Sequence, residues 1–433
     1  MFWNKSMETL PSKELRELQE KRLRRIVGYA YKNSPFYKNL FDRIGLDPSS
    51  IKKLEDLSKI PFTTKEDLRS SYPYGFLAVP ISEIVRFHAS SGTTGKPVLV
   101  TYTKEDINNW TELMARVLTC AGIKKEDILQ LIYNYAFFTG GLGFHYGAEK
   151  IGAAVVPSGV GNTARQIMTM RDLGVTAFSS TPSYALYLAE YARNEGIDVS
   201  EFNVKRAIFG AEPWSESMRK KIEDAYGIVA YDNYGLSELC GPGVSVECEE
   251  RDGMHVWTDH FLLEVVDPET GEVLDTNEEG ELVFTTLTKE AMPLLRYRTG
   301  DISFLYDEDR CGCMRTHPKI SRLIGRSDDM LIIRGVNVFP SQIEQVLMRI
   351  PGVEDHYQII VDRSGMLDQL KINIEVNEKI FTGERDNLLR IKEKVEENLK
   401  NALGVRAKVN LVEPGSIPRS EGKAQRILDL RKI

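Results

Sequence analysis

Four hydroxyl residues, two glycines and a lysine crowd into one stretch: Ser90, Ser91, Gly92, Thr93, Thr94, Gly95 and Lys96. They follow residues 83–87, whose pattern predicts a strand. Glycines let a loop wrap a phosphate with backbone N–H groups, and hydroxyls and an ammonium add donors. The stretch is not a Walker A loop, which needs four residues between its glycines and Ser or Thr after the lysine. Here two residues separate Gly92 from Gly95, and Pro97 follows Lys96. Read alone, such a loop is equally a polar turn.

Carboxylates stand at three further places. Glu238 closes the run Tyr234, Gly235, Leu236, Ser237, Glu238, and a carboxylate beside a phosphate loop suits magnesium. Asp301 ends Thr299-Gly300-Asp301, where a strand-end carboxylate could accept both hydroxyls of a ribose, although Gly-Asp is also ordinary turn chemistry. Gly325, Arg326, Ser327 and Asp328 read as an exposed linker, and Pro418 to Lys423 as a basic tail. Residues 159–164 (GVGNTA) follow a strand pattern and open a helix, as a dinucleotide fingerprint does. No acidic residue occurs over 175–188, so a nicotinamide cofactor is not expected.

The cysteines suggest a metal. Cys248 and His255 lie seven residues apart across a turn at 250–253, and Cys311 and Cys313 flank Gly312. Three thiols and one imidazole suit a closed, tetrahedral structural zinc. The spacing departs from the usual C-x2-C, and His260 or His317 could replace His255. Four unrelated buried residues are the plainer alternative.

These groups hang on elements that the apolar periodicity sets out. Residues 1–85 read as a mainly helical lead-in, with a helix over 14–32. From 87 to about 227, short apolar runs at 128–133, 153–156, 176–179 and 207–209 alternate with helical patterns at 163–173, 182–195 and 215–226. That alternation predicts an α/β domain with a largely parallel sheet. Strand-like pieces from 246 to 298 predict an antiparallel subdomain. Residues 330–433 carry the order β-α-β-β-α-β of a small α+β domain, whose first helix opens with a capping box over Ser341–Glu344.

The 433 residues are 42% hydrophobic and 27% charged, with net charge −7. That composition excludes a disordered or disulfide-rich chain and, by bulk charge, argues against nucleic acid or an anionic membrane as partner. Residues 128–144 are too broken by Gln130, Asn134 and glycines to span a bilayer, and no secretory signal is visible, so a cytoplasmic location is expected.

The order and spacing of the loop, YGLSE, TGD, GRSD and the tail Gly-Lys resemble the adenylate-forming acyl-CoA synthetases, and within them the phenylacetate–CoA ligase family. The resemblance runs the length of the chain and is densest at 234–243, 280–301 and 325–344. It implies an N-terminal adenylation domain over 1–325, a hinge at 326–329 with Asp328 at its centre, and a mobile C-terminal domain over 330–433. It implies ATP, Mg2+ and coenzyme A, and ligation of an aryl acid to the thiol through an acyl-adenylate. Ser90 to Lys96 would hold the β- and γ-phosphates, Glu238 the magnesium, and Lys423 the α-phosphate and carboxylate. Asp301 and Arg326 would hold the ribose. Ala211, Glu212, Asp232, Asn233, Tyr234 and Ser237 fall on the nucleotide-binding stretches. Arg334, Gly335 and Val336 would line the coenzyme A tunnel. The acyl pocket is expected from Tyr135, Phe137, Phe138, Phe144 and Gly235, though these aromatics could equally be core. The expected partners are a small carboxylic acid, ATP and coenzyme A, and a homodimer is compatible with the sequence. The alternatives are an adenylating enzyme with another acid or acceptor, and a non-catalytic nucleotide-binding relative.

Overall fold

Short Val- and Ile-rich runs bounded by amphipathic segments form a sheet in the computed structural model of the chain. The structure describes residues 1–90, 97–307, 311–327, 330–333, 336–364, 367–382, 385–419 and 426–432. These fall into two compact units.

The first unit comprises residues 1–180, 201–211 and 228–322. Its main sheet has eight strands. Ala154–Val156, Ile128–Leu131, Ala177–Ser180, Arg206–Phe209 and Val229–Leu236 run parallel in that order. Gly241–Glu247, Met254–Val256 and Lys319–Ile320 then continue it antiparallel. The expected parallel core and the antiparallel stretch therefore meet in one sheet, and Val229–Leu236 is where direction changes. Phe261–Val266, Gly280–Thr286 and Tyr297–Ser303 pair antiparallel beside it in sequence.

Helix Lys104–Cys120 starts at a capping box between Thr103 and Asp106. It lies against helix Gly140–Ile151 so closely that a Cβ on Gly147 would sit 2.6 Å from Met114. Strand Gly241–Glu247 also touches this helix. A Cβ on Gly241 would come 2.7 Å from Trp110 and from Thr139, and one on Gly243 would come 2.9 Å from the Met114 sulfur. Both glycines have positive φ (+99° and +111°). Trp110 Nε1 seals the contact by donating to the Pro242 carbonyl at 2.7 Å. The helical lead-in is present as Ser12–Asn33 and Pro35–Ile44. Ahead of it, the buried Glu8 carboxylate pairs with the buried Arg315 guanidinium at 2.9 Å.

The second unit comprises residues 181–200, 212–227 and 323–433. Its four-stranded sheet has the order Ala407–Val412, Leu367–Val376, Val353–Ser364, Ile427–Asp429. Ile343, Leu347, Val395 and Leu399 from helices Pro340–Leu347 and Arg385–Leu403 fill its core with Ile359 and Ile372. Two details depart from the sequence reading. Leu331–Ile333 forms its own hairpin with Val336–Val338, and the place beside Val353–Ser364 goes to the tail strand 427–429. The helix at 340 is capped by Gln342, whose side chain accepts from the Phe339 N–H at 3.0 Å. The Ser341 hydroxyl instead reaches the Ile324 carbonyl, because Pro340 at the first helical position moves the cap back to Phe339. Helices Pro182–Asn194 and Glu216–Tyr226 belong to this unit through Glu190–His356 (3.0 Å), Ser215–Glu344 (3.2 Å) and Lys221–Asp355.

Candidate active site

The switch strand Val229–Leu236 carries three of the candidate nucleotide residues, Asp232, Asn233 and Tyr234, at a position where ligands of open α/β sheets commonly bind. Asp232 donates its N–H to the Glu247 carboxylate at 2.7 Å, and Asn233 donates its amide to the Phe209 carbonyl at 3.3 Å. The Tyr234 hydroxyl donates to Asp301 Oδ2 at 2.7 Å, so residues 67 positions apart meet in a buried hydrogen bond. Asp301 also receives support from its own turn, where its N–H donates to the Thr299 hydroxyl at 3.0 Å. Gly235 is demanded by its neighbour, since a Cβ there would stand 2.1 Å from the Gly241 carbonyl oxygen.

Beyond the strand, the chain turns tightly. The N–H groups of Leu239 and Cys240 both return to the Leu236 carbonyl, at 3.1 and 3.3 Å. Ser237 shares a hydrogen bond with the Thr139 hydroxyl at 3.2 Å. Glu238 is 7% exposed as a residue, and none of the described hydrogen bonds or ion pairs uses its carboxylate. A carboxylate whose oxygens keep open acceptor positions suits a divalent cation. Sequence reasoning passed over Lys289, whose Nζ donates to the carbonyls of Glu238 (2.9 Å) and Leu239 (2.7 Å). Burial pushes its pKa down to about 8. Either protonation state still donates to both carbonyls. The signal was present: Lys289 lies inside the 280–301 stretch that carries the family resemblance.

Ala211 follows strand Arg206–Phe209 with φ +70°, a left-handed conformation that costs a non-glycine residue roughly 1 kcal/mol or more. Glu212, in the second unit, accepts from the Ser183 N–H at 2.8 Å. Arg326 is partly buried in a short strand with Gly325, and Val336 opens the second strand of the 331–338 hairpin. Ser90 donates its N–H to the Val98 carbonyl at 3.0 Å. Ser91, Gly92, Thr93, Thr94, Gly95, Lys96, Asp328, Arg334, Gly335 and Lys423 lie outside the described residues. The segments that flank Lys423 are held firmly. Arg419 grips Glu375 through two hydrogen bonds of 2.9 Å, and Arg426 engages Glu344 and Tyr357.

The aromatic candidates differ in burial. Phe137 is 66% exposed, although its carbonyl accepts from Ala89 N–H at 3.1 Å and so lies beside the strand leading to Ser90. Phe144 is core, stacked on Tyr133 at 5.6 Å. Tyr135 and Phe138 remain between these extremes, with the Tyr135 hydroxyl 3.3 Å from His145 Nδ1. Of the four aromatics, Phe137 is turned outward and Phe144 is packed on Tyr133.

Cys248, His255, Cys311 and Cys313 converge, with their ligand atoms all within 4.8 Å of one another. Cys248 and Cys311 sulfurs are 3.6 Å apart, and Cys313 Sγ is 3.3 Å from His255 Nε2. Ligands around a tetrahedral zinc lie about 3.3–3.8 Å apart, given bonds of about 2.0–2.3 Å. His255 Nδ1 donates to the His317 carbonyl at 2.8 Å, which turns its other nitrogen toward the thiols. The alternative histidines are occupied elsewhere: His260 with Thr288 at 2.8 Å, His317 with Thr258 and the Met7 carbonyl.

No helix among the described residues is long and apolar enough to cross a membrane. Residues 78–287 match the AMP-binding enzyme family, and residues 335–431 match the AMP-binding enzyme C-terminal domain. The chain is 51% identical to a phenylacetate–coenzyme A ligase of Thermus thermophilus across the whole of both chains. It is 47% identical to the Escherichia coli enzyme of the same name, over 99% of this chain and 97% of that one. Among solved structures, 2-hydroxyisobutyryl-CoA ligase in its postadenylation state with an acyl-AMP superposes with TM-score 0.94 at 31% identity, covering 100% of this chain and 93% of that one. The same ligase with CoA in its thioesterification state gives 0.74 at 32% identity, covering 99% and 92%. On these grounds the chain belongs to the phenylacetate–coenzyme A ligase family of adenylate-forming, AMP-binding enzymes.

Proposed function

We propose that this protein joins phenylacetate to coenzyme A in two half-reactions. The observation that carries the reading is 51% identity, end to end, with a relative of that activity. A carboxylate oxygen attacks the α-phosphorus of ATP, the bond to the bridging oxygen breaks, and pyrophosphate leaves. The sulfur of coenzyme A then attacks the acyl carbon, and AMP leaves with the bond's electron pair. Both attacking groups belong to substrates, so the protein supplies position and charge rather than a nucleophile.

The chain's residues divide that work. Ser90 to Lys96 hold the β- and γ-phosphates through backbone N–H groups and hydroxyls. Asp232, Asn233 and Tyr234 meet the base with Ala211 and Glu212, and Ser237 steadies the turn behind them. Asp301, with one oxygen held by Tyr234, turns its remaining acceptor capacity to the ribose hydroxyls, joined by Arg326. Glu238 is the ligand for Mg2+, which neutralises phosphate charge. Lys423 places a compact cation between the α-phosphate and the incoming carboxylate. Tyr135, Phe138 and Gly235 border the acyl group. Residues 330–433 move about a hinge at 326–329, centred on Asp328, against the adenylation domain 1–325, and Arg334, Gly335 and Val336 then face coenzyme A. Cys248, His255, Cys311 and Cys313 hold a structural zinc: a closed set of four protein ligands leaves no position for water or substrate.

Pyrophosphate release on adding phenylacetate and ATP, followed by thioester on adding coenzyme A, tests the reading. Pyrophosphate without thioester assigns another acceptor. Silence with phenylacetate but turnover of a short hydroxy acid reassigns the substrate. Neither product from a broad acid panel overturns the enzyme itself. Lys423→Ala is expected to abolish adenylate formation while sparing thioester formation from supplied adenylate.

A further inference from the structure

Glu238 sits on a turn that cannot hold its own shape. Its internal hydrogen bonds, from Leu239 and Cys240 to Leu236, satisfy N–H groups and leave the carbonyls of 238 and 239 to find donors elsewhere. Both find the same one. Lys289 Nζ donates to Glu238 O at 2.9 Å and Leu239 O at 2.7 Å, and its residue is only 6% exposed. Its ammonium lies 4.9 Å from the centre of the Tyr102 ring, and the Tyr102 hydroxyl donates to the Ser237 carbonyl at 3.4 Å. The two peptide planes on either side of the Glu238 Cα are therefore each pinned, one by Tyr102 and one by Lys289.

The lysine is itself held. Asp106, in the first turn of helix Lys104–Cys120, accepts from the N–H groups of Glu290 (2.7 Å) and Ala291 (2.9 Å), immediately after Lys289. Burying an ammonium is unfavourable, and a methionine would fill the same space without the cost. What lysine adds is a pair of donors aimed at consecutive carbonyls.

We infer that Lys289 is a positioning residue for the metal-binding carboxylate: by fixing the backbone at 238 and 239, it sets the direction in which Glu238 presents its oxygens to the cation of the metal–nucleotide substrate. The inference rests on the reading of Glu238 as a magnesium ligand. A side chain free of other partners aims well only when its backbone cannot swivel, and Lys289 provides that rigidity from behind, without touching nucleotide or acid.

The test is Mn2+ binding, read by electron paramagnetic resonance, in the presence of a non-hydrolysable ATP analogue; no turnover is involved. Lys289→Met is expected to weaken Mn2+ binding at least about tenfold, while metal-free binding of the analogue changes less than about twofold. Lys289→Arg, which keeps donors and charge, is expected to remain within about threefold of wild type. Unchanged Mn2+ affinity in folded Lys289→Met overturns the inference. So does equal weakening of metal-free analogue binding, the mark of a general structural role. Failure of both variants to fold also overturns it, because the lysine is then required for the fold before the metal. Wild-type protein that binds the analogue but no Mn2+ removes the magnesium reading of Glu238 itself, a separate result from any of these.

Discussion

The Cys/His cluster and the turn at Glu238 present their proposed metal-binding groups in opposite ways. In the cluster, four ligand atoms face one another within 4.8 Å, and His255 is oriented by a second hydrogen bond to His317. At the turn, one carboxylate stands on a largely buried residue whose backbone is held fast, with no described hydrogen bond to its oxygens. A closed set suits a cation that never leaves and serves the fold. A single well-aimed carboxylate suits one that arrives and departs with substrate. The lesson is that a metal's role can be read from how many protein ligands face it and how each is braced.

That contrast can be broken most decisively at Glu238. Glu238→Gln is expected to slow adenylate formation by about two orders of magnitude or more, since such transition-state contacts have that typical size. Its thermal midpoint should stay within about 2 °C of wild type, and a large drop would make Glu238 a fold residue instead. Cys311→Ser should behave in the reverse sense. Metal analysis should show about one zinc per wild-type chain and none in the variant, with a midpoint lowered by several degrees and adenylation by the folded fraction within a few-fold of wild type. Wild-type protein that folds without any metal would falsify the zinc assignment.

Tyr234→Phe sharpens the comparison at smaller scale. It strips Asp301 of a buried donor, a loss of about 1–3 kcal/mol, and should raise the ATP KM roughly tenfold while leaving the phenylacetate KM near wild type. The smallest effect concerns pH. Burial pushes the His260 pKa down to about 4, with Asp259 opposing the shift. The unfolded ring takes up a proton near 6.5, so this contribution to stability is present above pH 6.5 and is lost as pH falls toward 4. The wild-type midpoint should drop across that window, and His260→Gln should flatten the slope.

Much of the fold was legible because chain-local signals dictate it. The strands at 128, 154, 177 and 206 lie within a residue or two of their apolar runs, and Gly235 and Asp301 sit in motifs that pointed to a site only through their combined order and the family it resembles. What the sequence hid was long-range. Nothing local ties Lys289 to residue 238, or Glu8 to Arg315 some 300 positions away. Strand Ile427–Asp429 follows a polar, basic segment and earns its place only by pairing with Val353–Ser364. Burial within the aromatic stretch 133–144 was hidden for a related reason: composition cannot tell Phe137, which is exposed, from Phe144, which packs on Tyr133.

The glycine pair that lets strand Gly241–Glu247 lie flush on Trp110 and Met114 has a bearing on attempts to retrain this enzyme for other acids. Positions 241 and 243 adjoin the YGLSE turn in sequence, so a mutagenesis library aimed at selectivity would naturally include them. Every side chain introduced there would collide with the helix and meet an unfavourable φ, yielding dead clones that say nothing about substrate choice. Diversity is better spent on the proposed acyl-bordering segment Tyr135–Phe138, where no position has a positive φ.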